Sequence, residues 1–341
     1  MAPPHPARMS RRTILKIAIP LAMVLITLLF IELAARLVYG RPTMHLGIEM
    51  WKYAKNVKLV HPNPEIGHRH RPNAHDFLMG VDVRTNSFGL RDPERTLEKP
   101  ANTTRILMLG DSIVFGWGVP GTETMAARLE KSLNEKPVTP GRKYEVFNTG
   151  VGNSNTAMEE TWFREEGCRF NPDCVLVGWF INDAEPTPVP SRNWLAYHSY
   201  AFVRFDAAFD ALLRRSSARS NYQQYYTGLY REEQPGWPKC KRSFDELAKF
   251  CAAKNIPVHI LLIPELHTLG SHYEFTAIHD QIRNVCANAH LPVTDLVDAF
   301  PSDGNPPDYW VSPTDDHPNS RGHGLMATKI DETLRREHWI Q

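Results

Sequence analysis

The chain has 341 residues, of which 42% are apolar and 23% are charged, and its formal net charge is +1. These proportions are those of an ordinary globular protein, and the balanced charge excludes the global basic field that nucleic-acid binding would require. The length suffices for a membrane segment and one large domain, or for two small domains.

The N-terminus is the clearest compositional break in the chain. A basic leader, residues 1–12, precedes an uncharged run at 17–31. Together with Ile14 and Leu15 this run approaches the length that crosses a bilayer, which places a predicted transmembrane anchor at residues 13–38. Ala34-Ala35-Arg36 is a poor cleavage site. We therefore expect an uncleaved, single-pass anchor in the inner (cytoplasmic) membrane, with a cleaved signal peptide as the alternative. Because the positive leader stays in the cytoplasm, residue 42 onward is expected on the periplasmic side.

Residues 42–100 are rich in proline, histidine and asparagine. We predict that they form an N-terminal extension that packs on the main domain. The alternation of valine with polar residues within 80–92 favours a strand of hairpin type followed by a turn. His68, His70 and His75 have no converging carboxylate or thiolate in this segment, so we predict surface histidines and no metal site.

From residue 101 onward the pattern changes to alternating strands and helices. Short apolar runs predict strands at 105–109, 144–148, 174–180, 258–263 and 293–296. Helical spacing predicts helices at 124–133, 156–167, 243–254, 274–289 and 324–338. This alternation predicts a parallel sheet with helices on both faces, in which chemistry gathers at the carboxyl ends of the strands. Residues 184–240 interrupt the rhythm, and their prolines predict an insertion of long ordered loops.

The cysteines are compatible with an exported domain. They lie at positions 168, 174, 240, 251 and 286, so their odd number leaves at least one unpaired. Cys168 and Cys174 are close enough in sequence to form a disulfide. Because no C-x-x-C occurs, thiol redox chemistry and a zinc ribbon are not expected.

Polar residues and glycines follow the predicted strands at the points where a site would form. Ser112 ends the first of these stretches, Gly110-Asp111-Ser112. Gly150 and Gly152 follow the second strand, Asn182 follows the third, and His317 lies beside two aspartates ahead of the last helix. A serine becomes a nucleophile only with a base and with donors for the oxyanion. The strand ends therefore offer the parts of a serine hydrolase.

Four sequence blocks resemble, in order and spacing, those of the SGNH (GDSL) hydrolase superfamily: GDS at 110–112, NTGVG at 148–152, IND at 181–183 and DDHPN at 315–319. The resemblance covers about residues 104–338. It implies a three-layer α/β/α domain at 101–341, with a parallel five-stranded sheet in flavodoxin-like order. It further implies Ser112 as nucleophile and His317 as general base. The implied oxyanion donors are the Ser112 N–H, an N–H of the second block and the Asn182 side chain, and no metal or organic cofactor is implied.

The position of the orienting aspartate departs from the family pattern. The family places this aspartate three residues before the histidine, where this chain has Thr314. Asp315 and Asp316 lie two residues and one residue before His317. We predict Asp315, because an adjacent residue folds back onto the imidazole with difficulty. If neither aspartate reaches the ring, the alternative is a Ser–His dyad with a backbone carbonyl as the orienting group.

The oxyanion donor of the second block is the other departure. The family glycine aligns with Gly152 or with Asn153, depending on how the turn is counted. Because the donor is a backbone N–H, either residue could serve. We predict Gly152, where the absence of a side chain leaves the closest approach to the backbone.

The predicted function is a serine ester hydrolase, an acyl or acetyl esterase that acts outside the cytoplasm on acylated envelope glycans or lipids. An O-acyltransferase would use the same residues to acylate an envelope polysaccharide. A non-catalytic module that binds glycans or organises an envelope complex is the third possibility, and the displaced aspartate mildly favours it. The insertion at 184–240 is the candidate surface for an acceptor or partner.

Overall fold

The computed structural model describes residues 10–188, 193–215, 218–270 and 272–339. Residues 1–9 of the predicted leader, 189–192 and 216–217 of the predicted insertion, and residues 271, 340 and 341 lie outside the described residues.

The α-helices are α1 (Arg11–Tyr39), α2 (Leu46–Lys52), α3 (Ser112–Phe115), α4 (Met125–Glu135), α5 (Thr156–Glu165), α6 (Trp194–His198), α7 (Tyr200–Arg215), α8 (Ala218–Leu229), α9 (Gly236–Ala253), α10 (Thr276–Asn288) and α11 (Ser320–Arg336). The strands are β1 (Lys58–Val60), β2 (His68–His70), β3 (His75–Leu78), β4 (Val81–Arg84), β5 (Thr103–Gly110), β6 (Lys143–Asn148), β7 (Cys174–Trp179), β8 (Val258–Leu262), β9 (Val293–Asp295), β10 (Trp310–Ser312) and β11 (Asp315–Pro318). A π-helical turn, Tyr53–Val57, follows α2 directly.

The main sheet has five parallel strands in the order β6-β5-β7-β8-β9. Numbered along the chain, this is the order 2-1-3-4-5, so the predicted flavodoxin-like sheet is confirmed. Every residue of β5, β7 and β8 is buried. This complete burial explains why these strands read as continuous apolar runs rather than as alternating patterns.

Helices cover both faces of the sheet and create two cores. Side chains of α5, α9 and α10 pack with Leu107 and Leu109 on one face. Side chains of α4 and α11 pack with Ile106 and Met108 on the other face. Because successive residues of β5 point to opposite faces, this strand contributes to both cores. The result is the predicted three-layer α/β/α arrangement.

The predicted insertion contains helices where loops were expected. Helices α6, α7 and α8 occupy most of its described residues. The prolines that suggested loops lie at its two ends, because none occurs between residues 194 and 234. Pro235 and Pro238 lie at the start of α9, where proline replaces no intrahelical hydrogen-bond donor. Because both prolines fit the first turn of a helix, α9 begins at Gly236, seven residues before the predicted start at residue 243.

Helix α1 is long and apolar enough to cross a membrane, by length and composition. Its C-terminal part contacts the start of α7. Glu32 accepts hydrogen bonds from Ser199 Oγ at 2.7 Å and from the Ala201 N–H at 3.1 Å. Arg36 donates to the His198 carbonyl at 2.9 Å. The apolar helix is therefore joined to the predicted insertion by several hydrogen bonds.

Residues 42–100 form two antiparallel hairpins, β1–β2 and β3–β4, together with α2 and the π-helical turn. Tyr53 of this segment shares a small core with Phe115 and Trp117, which lie three and five residues after Ser112 in the chain. The prediction of surface histidines is wrong for His70, which is 2% exposed, and for His68, which is partly buried. Their rings face the main domain because the hairpin packs on it.

The cysteines are all free thiols, so the Cys168–Cys174 disulfide that the sequence spacing allows is not formed. The sheet separates the two residues. Cys174 belongs to the core beside α4 and α11, whereas Cys168 packs against the core on the opposite face.

Candidate active site

The serine of the first block lies where β5 ends. Gly110 has φ 155°, and a Cβ at this position would lie 2.3 Å from Val114 Cγ2, so only glycine fits the turn. Asp111 caps the short helix α3 by accepting the Ile113 N–H at 2.8 Å. Ser112 therefore occupies the first position of α3 and is 8% exposed. Its own N–H has no acceptor among the residues that the structure describes.

A chain of hydrogen bonds joins the serine to the histidine and aspartate of the fourth block. Ser112 Oγ lies 2.9 Å from His317 Nε2, and His317 Nδ1 lies 2.6 Å from Asp315 Oδ1. The second oxygen of Asp315 accepts the indole N–H of Trp117 at 2.9 Å. Asp315 is almost completely buried, so both of its oxygens are fixed by protein donors. This arrangement fixes the histidine tautomer with its proton on Nδ1.

Burial and the nearby carboxylates have opposite effects on the pKa of His317. Burial opposes protonation of the ring, but the carboxylates of Asp315, Asp316 and Asp111 outweigh it and raise the pKa of His317 above 6.5. A raised pKa makes the imidazole a stronger base. It also stabilises the imidazolium that would form when Ser112 loses its proton.

Asp316, the alternative orienting residue, contacts a different histidine. Its Oδ2 lies 3.0 Å from His267 Nδ1, and Glu265 Oε1 lies 2.8 Å from the same nitrogen. Hydrogen bonds to Asp316 and Glu265 raise the pKa of His267 to about 10. Although burial opposes it, the bond from His267 lowers the pKa of Asp316 to about 2. His267 is therefore an imidazolium between two carboxyl groups.

The cluster of Glu265, His267 and Asp316 also has the spacing of metal ligands, since one ligand atom from each lies within 4.8 Å of the others. The imidazolium already balances much of the negative charge here, which weakens the case for a cation. Sequence reasoning missed this cluster, because Glu265 and His267 follow β8 in a stretch without a recognisable motif.

Asn182 lies in the turn after β7 and is partly buried. Burial raises the pKa of Asp111, and a hydrogen bond from the Asn182 side chain partly opposes this rise. One amide hydrogen of Asn182 suffices for this contact, so the second remains for a substrate oxygen.

The geometry of the second block disagrees with the prediction that Gly152 donates to an oxyanion. The Gly152 N–H donates instead to the hydroxyl of Tyr53 at 2.8 Å. A Cβ at Gly152 would lie 2.7 Å from Tyr53 Cε1, so the glycine is explained by the packing of this ring. Asn153, the alternative, has φ 63° and is exposed, and its N–H has no acceptor among the described residues. The free donor of this block is therefore the Asn153 N–H.

Comparisons with known proteins agree with this fold. The family model described as GDSL-like lipase/acylhydrolase matches residues 108–325, which is more than half of the chain. No curated protein sequence matches the chain significantly.

Solved structures that resemble this chain do so at low sequence identity and low TM-score. A two-domain esterase active on acetylated mannans is 13% identical with a TM-score of 0.44, and the match covers 70% of this chain and 50% of that one. A GDSL-like lipase from Bacteroides thetaiotaomicron is 12% identical with a TM-score of 0.41, covering 71% and 93%. A lipase/acylhydrolase from Enterococcus faecalis is 14% identical with a TM-score of 0.41, covering 69% and 96%.

Proposed function

Because the chain belongs to the GDSL-like lipase/acylhydrolase family and is an ester-bond hydrolase, we propose that Ser112, His317 and Asp315 carry out its reaction. The observation that carries this proposal is the continuous contact from Ser112 Oγ through the imidazole to Asp315, with distances of 2.9 and 2.6 Å. His317 Nε2 accepts the hydroxyl proton as Oγ attacks the ester carbonyl carbon. Asp315 holds the ring in place and stabilises its positive charge.

The negative oxygen of the tetrahedral intermediate needs donors that are already in position. We assign this role to the Ser112 N–H, the Asn182 side-chain amide and the Asn153 N–H, which replaces Gly152. Losing one such donor costs on the order of a hundredfold or more in rate.

The intermediate collapses when the alkoxy group leaves with the proton from His317 Nε2, so the acyl group stays on Ser112 Oγ. A water molecule then loses a proton to His317 and attacks the acyl carbonyl. The Oγ–acyl bond breaks, Ser112 regains its proton, and a carboxylic acid is released. The reaction consumes one ester and one water and needs no further reactant.

The proposed location is the inner membrane, with α1 as an uncleaved anchor and the remaining domain in the periplasm. The length and apolar composition of α1 and the basic residues before it support this orientation. The proposed substrates are acyl esters of envelope glycans or lipids. Aromatic rings near Asp316 favour a sugar, since Trp310 and Tyr222 lie 4.6 and 5.6 Å from the His267 ring. Such rings present apolar faces on which sugars stack.

The test uses the full chain in detergent micelles with a fluorophosphonate probe, together with p-nitrophenyl acetate and octanoate. We expect labelling and acetate turnover in the wild type and neither in Ser112→Ala. Ser302→Ala is the matched control, because Ser302 is exposed in a turn. Labelling without hydrolysis would identify an O-acyltransferase with the same nucleophile. An unlabelled, folded wild type would refute the nucleophile and favour the binding module.

A separate experiment tests the proposed membrane orientation. Alkaline phosphatase fused after residue 341 is active only outside the cytoplasm, so an active fusion supports the proposed orientation and an inactive one contradicts it. N-terminal sequencing of the membrane fraction separates the two forms of the N-terminus. An anchor begins near residue 1, whereas a cleaved signal peptide leaves a later start.

A further inference from the structure

Three side chains of the N-terminal segment hold the two polar groups of Gly152. The hydroxyl of Tyr53 accepts the Gly152 N–H at 2.8 Å. Lys58 Nζ donates to the Gly152 carbonyl oxygen at 2.8 Å, and His68 Nε2 lies 3.0 Å from the same oxygen. Lys58 and His68 belong to paired strands, β1 and β2, so a single hairpin supplies both.

The carbonyl of Gly152 and the N–H of Asn153 belong to the same peptide unit. This unit is planar and trans, so the two groups point in opposite directions. Whatever fixes the carbonyl therefore fixes the direction of the N–H. Without the contacts to its carbonyl, the Gly152–Asn153 peptide could rotate easily, because glycine has few steric restrictions on its backbone.

We propose that Lys58, assisted by His68, is a positioning residue that orients and polarises the Gly152–Asn153 peptide so that its N–H serves the oxyanion. The inference rests on the proposed function and adds to it a residue outside the family's sequence blocks. A hydrogen-bond donor at the carbonyl oxygen draws electron density along the peptide, which makes the N–H at its other end a stronger donor. The effect is largest when the amine of Lys58 is protonated.

The surroundings of Lys58 support this role. Its Nζ lies 3.2 Å from His68 Nε2 and 5.0 Å from the centre of the Tyr53 ring. No carboxylate forms an ion pair with Lys58 in the part of the chain that the structure describes. Burial lowers the pKa of Lys58 to about 7. A partly buried amine without an acidic partner is costly, so its contact with the Gly152 carbonyl is its main compensation.

The same peptide borders a cavity. Lys58, His68 and Asn153 line this space of about 380 Å³ between the N-terminal segment and α6. The cavity reaches the residues that hold the Gly152 carbonyl as well as Asn153, so a ligand bound there would contact both.

The experiment compares Lys58→Met and Lys58→Arg in the full chain in detergent. Methionine keeps most of the stem and removes the donor, whereas arginine keeps a charged donor. Lys55→Met is the matched control, because Lys55 lies on the same segment but over the Trp51 ring at 4.7 Å. The readouts are kcat and KM for p-nitrophenyl acetate, the inhibition constant of an alkyl boronic acid, and the melting temperature. The boronic acid forms a tetrahedral adduct on serine and therefore tests the oxyanion donors directly.

We expect Lys58→Met to lower kcat about tenfold or more, with KM changed less than about twofold. Boronate affinity should fall in the same proportion, and Lys58→Arg should recover most of both. Lys58→Met values equal to those of Lys55→Met would overturn the inference. If Lys58→Met does not fold, His68→Gln applies the same criteria to the second contact. A wild type that neither labels nor turns over any ester would refute the proposed function itself, which distinguishes that failure from this one.

Discussion

Trp117 donates its indole N–H to the carboxylate of Asp315 at 2.9 Å, across 198 positions of the chain. Trp117 follows the nucleophile by five residues, whereas Asp315 precedes the base by two. The indole thus joins the two halves of the candidate site. It also contributes to the core that the N-terminal segment shares with the main domain.

Trp117→Phe keeps most of the aromatic volume and removes this hydrogen bond. Because the acceptor is a buried, charged group, we expect a loss of about 1.5–3 kcal/mol in unfolding free energy. We also expect a several-fold fall in kcat, since Asp315 loses one of its anchors. Thermal unfolding and acetate turnover measure the two effects. Trp194→Phe is the control, because Trp194 is 67% exposed; equal melting temperatures for the two variants would contradict the prediction.

Asp315 and Asp316 are neighbours with different expected effects. Asp315→Asn should lower kcat on the order of a thousandfold, because the amide no longer favours the tautomer that accepts the Ser112 proton. Asp316→Asn should cost less than about tenfold, because Asp316 contacts His267 and not the His317 ring. Steady-state kinetics of both variants decide the assignment. A larger loss in Asp316→Asn would reverse it.

The pH profile of kcat/KM should have an acidic limb above pH 6.5. The base must be neutral to accept a proton, and neighbouring carboxylates raise the pKa of His317 above its ordinary value. Activity is therefore lost as pH falls through that raised pKa. The residual activity of Asp315→Asn should have its limb at lower pH, because one stabilising charge is gone. An unchanged limb in that variant would assign the titration to another group.

Asp183 directly follows Asn182, is almost completely buried, and provides a test of stability. Burial, and then the negative charges of Glu159 and Asp111, raise the pKa of Asp183 well above 3.8. The folded state therefore favours the protonated form, and this contribution is lost as pH rises through the raised pKa. Asp183→Asn should gain stability relative to the wild type as pH rises, by at most about 1.4 kcal/mol per pH unit. Melting temperatures of both proteins at pH 5 and pH 9 measure this gain. If the difference between variant and wild type is the same at both pH values, Asp183 is not neutral in the folded state.

The main sheet could be predicted from the sequence because its strands are short, fully buried and separated by amphipathic helices. Their apolar runs are local signals, and the prediction of five parallel strands is confirmed. The helices of the insertion are not evident from its proline content, because the prolines lie at its two ends and its interior has none. The surroundings of Gly152 depend on Tyr53, which is 99 positions away, and no local pattern encodes that contact.

In the candidate site, too, some residues can be predicted from sequence and others cannot. Its sequence blocks identify residues such as Ser112, Asn182 and His317, which stay predictions until activity is measured. The donor beside Gly152 could not be chosen from sequence, since glycine suits both a close approach by substrate and a close approach by a tyrosine ring. Only the three-dimensional position of Tyr53 separates these two explanations.

The bonds from Glu32 and Arg36 to the segment around Ser199 have a consequence for how the protein meets its substrate. These bonds restrict the motion of the domain relative to α1, because three backbone or hydroxyl groups at the start of α7 are hydrogen-bonded to the end of α1. With α1 in the bilayer as proposed, the domain cannot swing far from the lipid surface. The distance of the candidate active site from the membrane surface is then nearly constant, and membrane-associated substrates reach the site by lateral diffusion.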